Sequence, residues 1–174
     1  MALLRGINVG GKNKIEMSRL RNVLEVNGLT NVSTYIASGN ILFSSPDRSA
    51  ARLTTTIEDL IAGEFGLDIR VLVRSASNIR DVAAAIPGDW ATDDEHKADV
   101  MYLWKQASRG DILERVGVRP VDDVRHVHDA LLWRVRRKDF GRSGLSRLAA
   151  NPIYQQMTAR NVNTARKLAE LLDG

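Results

Sequence analysis

The stretch Val32-Ser33-Thr34-Tyr35-Ile36-Ala37-Ser38-Gly39-Asn40-Ile41-Leu42-Phe43 decides the fold. Residues 32–36 and 41–43 are β-branched and aromatic runs that favour extended backbone, and Ser38-Gly39-Asn40 between them is turn-forming. The pair reads as a hairpin or a bulged turn. Upstream, Ala2-Leu3-Leu4-Arg5-Gly6-Ile7-Asn8 is a short apolar strand entering a loop at Gly10-Gly11, and Met17, Leu20, Val23 and Leu24 then recur at helical spacing up to Gly28. Downstream, Leu53, Ile57, Leu60, Ile61 and Phe65 predict an amphipathic helix stopped by Gly66, followed by a strand over 69–73. The order β-α-β-β-α-β is the ferredoxin-like, split βαβ arrangement.

The rest of the chain predicts a second, less regular mixture. A helix carries Ile79, Val82, Ala83 and Ile86 and ends at Pro87; a polar, acidic loop over 88–97 comes next. Strands are expected over 100–104, 121–127 and 131–135, with a short helix at Ile112, Leu113 and Val116. The end reads as helical: a piece around Leu145 and Leu148, then a helix with Val162, Ala165, Leu168, Ala169 and Leu172 on one face and Thr158 as its N-cap. The expected class is α+β with two subdomains packed as one unit: a ferredoxin-like one over 1–74 and a mixed α/β one over 75–174, ending in helices.

Composition excludes several classes. In 174 residues there is no cysteine, so disulfide frameworks, zinc–thiolate and iron–sulfur sites and thiol catalysis are out. No apolar run reaches a membrane span, and residues 1–8 lack a secretory apolar core, which predicts a cytoplasmic protein. The net charge of +4 hides a division. From Asp81 to Asp129 eleven acids face six bases, whereas from Trp133 to Lys167 nine bases face Asp139 alone. Arginine predominates among the bases, and its planar fork suits carboxylate and phosphate.

Four constellations carry chemistry. Gly6-Ile7-Asn8-Val9-Gly10-Gly11-Lys12-Asn13 nearly matches the phosphate-cradling G-x-x-x-x-G-K-[ST] pattern, but Asn13 replaces the hydroxyl that ligates magnesium. A glycine-lined anion pocket using Arg5, Asn8 and Lys12 fits better than a nucleoside-triphosphate hydrolase. Ser38 and Asn40 form the second; adjacent antiparallel first and third strands would bring Asn40 to the same sheet edge as Asn8. The third is Phe140-Gly141-Arg142-Ser143-Gly144-Leu145, where backbone donors, Arg142 and Ser143 would converge on an anion at a helix start. The fourth, Thr158 to Thr164, puts Arg160, Asn161 and Asn163 in the first turns of the last helix. Asp93-Asp94-Glu95-His96 has no second histidine at metal-ligand spacing, so no metal or cofactor is expected. His126 and His128 point the same way along a strand, with Asp122, Asp123 and Asp129 nearby.

The segment from Ala2 to Asn13 with Met17, Leu20 and Arg21, the run Thr34-Tyr35-Ile36-Ala37-Ser38-Gly39-Asn40 with Phe43, and Gly141-Arg142-Ser143 with Leu145, Thr158, Arg160-Asn161 and Asn163-Thr164 together resemble the bacterial family catalogued as domain of unknown function 1697. The resemblance implies two α+β subdomains, the first ferredoxin-like, and no particular reaction. It also implies a first strand clipped near Met1 or a start upstream of it. Position 162, a tryptophan in the family pattern, is Val here.

The sequence thus points to binding, with turnover left open, of a small anionic or nucleotide-like ligand in a cleft between the halves. One wall would be Arg5, Asn8, Lys12, Ser38 and Asn40, and the other Arg142, Ser143, Arg160, Asn161 and Asn163. Two other readings stand beside it: a nucleic-acid module using the basic C-terminal stretch, against which nine scattered aromatics count, and a homodimer pairing through exposed strands.

Overall fold

A computed structural model describes residues 1–108 and 110–173. The chain divides into two compact units, Met1–Ala76 and Ser77–Gly174. In the first, β1 (Ala2–Leu4), α1 (Met17–Val26), β2 (Thr30–Tyr35), β3 (Asn40–Ser44), α2 (Ala50–Phe65) and β4 (Val71–Val73) come in the expected order. The four strands form one antiparallel sheet in the order β2-β3-β1-β4, the ferredoxin-like topology.

Local chemistry accounts for these elements. Leu20 and Leu24 of α1 and Leu53, Ile57 and Ile61 of α2 repeat at helical spacing and are buried with Leu4, Ile41 and Val71 in one core. Ser49 caps α2 by accepting the Arg52 N–H, and Gly66, at φ +65°, closes it in the left-handed conformation. At the β2–β3 turn the Leu4 N–H donates to Gly39 O at 2.8 Å. A Cβ on Gly39 would lie 2.6 Å from Leu4 Cβ, so only glycine lets the turn approach β1.

The second unit begins with α3 (Ala76–Ala84), whose first residue closes the first, and repeats the same wiring. β5 (His96–Leu103), the single-turn α4 (Ile112–Arg115), β6 (Asp123–Val127) and β7 (Ala130–Arg136) are followed by three short 3-10 helices, then β8 (Met157–Asn161) and α5 (Val162–Leu171). Its sheet order is β6-β7-β5-β8, all antiparallel. This is the first sheet's order with β5 in the place of β1. The Leu103 N–H donates to Asp129 O at 2.9 Å, as Leu4 does to Gly39. Met101, Leu103, Trp133 and Met157 cover one sheet face together with Leu145, Leu148 and Ile153 from the 3-10 helices.

Two expectations are corrected. Residues 157–161 are a strand, not the start of a helix: Met157, Thr158 and Ala159 pair with Leu103, Tyr102 and Met101. The N-cap of α5 is therefore Asn161, whose side chain accepts the Thr164 N–H at 2.8 Å, and not Thr158. Backbone pairing to β5 outweighs the capping tendency of a threonine that is also a good strand former. His126 and His128 do not share a strand, because His128 sits in the β6–β7 turn at φ +49°.

Candidate functional site

The glycine-rich loop after β1 is locked onto itself. Asn8 Nδ2 donates to Ile15 O and to Ala37 O, while Asn8 Oδ1 accepts the Ile15 N–H. The Asn8 and Lys12 amides donate to Asn13 O and Val9 O, and the Arg5 amide to Arg70 O. Those amides are spent inside the protein rather than turned to a phosphate. Asn8 does join the two motifs, because its bond to Ala37 ties the loop to the β2–β3 turn. Asn40 is fully buried and donates to Tyr35 O and Ser38 Oγ; Lys12 is exposed.

At Gly141–Leu145 the anion expected from sequence is supplied by the protein. The Asp122 carboxylate accepts the Ser143 hydroxyl, and also the Gly144 and Arg119 N–H groups at 2.9 and 2.8 Å. Ser143 is fully buried, and a Cβ on Gly144 would meet Gly117 O at 2.4 Å. The expected helix beyond it is only a short 3-10 turn, Leu145–Ala150. Arg142 is exposed and pairs with Asp139. This motif is a structural clamp.

Asn163 also works inside the protein. It exchanges two hydrogen bonds with the backbone of Thr92 and so pins the loop before β5.

Arg160 differs. It lies on edge strand β8, is only 6% exposed, and donates from Nη1 to Thr158 Oγ1 and Ala159 O. Burial pushes its guanidinium down to about 10, with Tyr102 and Tyr154 acting in the opposite direction. It lines a pocket of about 340 Å³ with Asn161, Lys97, Asp99 and Tyr154. Met101, Leu145 and Leu148 give that pocket an apolar part. Lys97 Nζ lies 2.8 Å from Asp99 Oδ2, and Asp99 is 7% exposed. Of the expected residues, Arg160 and Asn161 line this pocket together.

Lys97, Asp99 and Tyr154 escape a motif search. A signal for the first two was present: Lys97-Ala98-Asp99-Val100 alternates charged and apolar residues, and a charge on an inward strand face is unusual.

Most of the basic C-terminal stretch is committed to internal partners. Arg134 pairs with Asp89 and lies over the Trp90 ring, and Arg137 donates to Asp93 O. Arg166 donates to Trp90 O and Pro87 O, and Lys167 pairs with Glu170. With Arg142, five of the nine bases are held this way. In the first unit the sheet face away from the helices carries Leu3, Leu42 and Leu72, all buried, with Tyr35 at its edge. RNA-binding sheets of this topology present stacking aromatics there.

Among the described residues no helix is long and apolar enough to cross a membrane, and no group of three or more His, Asp or Glu is placed to hold a metal ion.

The fold and its fittings define an α+β protein of two units, the first ferredoxin-like. A family profile described as "Protein of unknown function (DUF1697)" matches residues 1–133, and the chain belongs to that family. It is similar to the solved structure of a conserved bacterial protein from Streptococcus pneumoniae, at TM-score 0.80 and 27% identity over 98% of this chain and 96% of that one. No functionally curated protein matches the chain.

Proposed function

We propose that the protein binds a small organic anion in the second unit, in the pocket against β5 and β8. The observation that carries this reading is Arg160: a buried arginine lining a pocket of about 340 Å³ whose remaining surface is partly apolar. Arginine's fork pairs with carboxylate or phosphate, and a charge–charge contact strengthens where water is excluded. Lys97 adds a second cation, Tyr154 and Asn161 add polar groups, and Met101, Leu145 and Leu148 would hold an aliphatic body. A local site suits the committed state of the other bases better than a phosphate polymer does.

The test is a thermal-shift series on the full chain with inorganic phosphate, adenosine monophosphate and 4-methylpentanoate. A ligand at 100 times its Kd stabilises the fold by about 2.7 kcal/mol, a rise in Tm of about 5–10 °C for a chain this long. Arg160→Lys keeps a charge but loses the fork and should abolish most of that rise. Stabilisation that survives both Arg160→Lys and Lys97→Met contradicts the reading.

A further inference from the structure

Resting on that anion reading, we infer that the ligand is a short aliphatic carboxylic acid with an amino or hydroxyl group beside its carboxylate, and that Asp99 accepts the N–H or O–H of that group. Asp99 stands on the pocket face of β5 with Lys97 before it and Met101 after it; its Cα partners are Trp133 on β7 and Asn161 on β8. An acid in that position loses most of its hydration, and the contact with Lys97 offsets the loss through one oxygen. Oδ1 makes no hydrogen bond among the described residues, and a carboxylate has lone pairs on both oxygens to offer.

The charges that line the pocket select further. Lys97 and Arg160 are cationic and Asp99 anionic, so the pocket offers cations to the ligand's carboxylate and an acid to its neighbouring donor group. A phosphate dianion would meet Asp99 with the wrong sign. A ligand donor set next to a single carboxylate meets Asp99 with the right one. The apolar residues Met101, Leu145 and Leu148 suit an aliphatic remainder, and a pocket of about 340 Å³ is at the small end of ligand sites.

The experiment is a calorimetric titration of the full chain with leucine, 2-hydroxy-4-methylpentanoate, 4-methylpentanoate and inorganic phosphate. At least one of the two substituted acids should bind about tenfold or more tightly than 4-methylpentanoate, the scale of one hydrogen bond to a charged group. The better of the two identifies the substituent. In Asp99→Asn that preference should shrink to within about threefold, and phosphate should bind more tightly than in the wild type. If Asp99→Asn fails to fold, Lys97→Met serves: it frees the Asp99 carboxylate and should sharpen the preference for leucine. Equal binding of all three acids, unchanged in the Asp99 or Lys97 variant, overturns this inference and leaves the anion reading standing. Binding of none of the four probes overturns both.

Discussion

Asp122 holds the Ser143 hydroxyl and the Gly144 N–H on its two carboxylate oxygens, joining the start of β6 to the turn after β7. A motif that looks from sequence like an anion-binding helix start is thereby closed by an acid from elsewhere in the same unit. Asp122→Ala would leave the buried Ser143 hydroxyl and the Gly144 amide without their acceptor, at about 2–4 kcal/mol. A fall in Tm of about 5–15 °C is expected. An unchanged Tm would show that the clamp contributes nothing to stability.

The β2–β3 turn contains a strained position and an obligatory one. Ile36 has φ +50° although it is β-branched, and it is half exposed. Ile36→Gly should raise stability by about 1 kcal/mol, the scale of the left-handed penalty. Gly39→Ala, three residues on, should lower it by more than about 2 kcal/mol, since its Cβ would strike Leu4. Chemical denaturation of the two variants should move in opposite directions; movement in the same direction refutes this account of the turn.

The first unit was legible because its signals are local. Helical spacing, Ser49 and Gly66 as caps and the turn at Ser38-Gly39-Asn40 each act within a few residues, and the β-α-β-β-α-β order results from them. The second unit was less legible because its signals are long-range. Thr158 has the chemistry of a cap, and only pairing with Tyr102, far upstream, makes it a strand residue. The same holds for the candidate site. Arg160 and Asn161 stood out in sequence, but Asp99 becomes notable only once β8 lies beside β5. The acceptor of Ser143 could not be found from the local motif, because Asp122 lies 21 residues away.

Arg160 should leave a signature at high pH. The folded state holds its guanidinium at about 10, well below the ordinary value of an arginine, so the native protein releases this proton first. Above about pH 10 the unfolded chain then binds more protons at this position, and the group's contribution to stability rises with pH. The stability of the wild type relative to Arg160→Met should therefore increase from pH 9 to pH 11 in urea denaturation. A flat or falling difference would mean that the guanidinium is not desolvated.

The most direct test of the central claim is amide chemical-shift mapping of the isotopically labelled full chain during titration with 2-hydroxy-4-methylpentanoate and leucine. Shifts concentrated at Lys97, Asp99, Met101, Leu148, Ala159 and Asn161, and lost in Arg160→Lys, are the predicted result. Shifts confined to other surfaces, or a pattern that Arg160→Lys leaves intact, would contradict a binding site against β5 and β8.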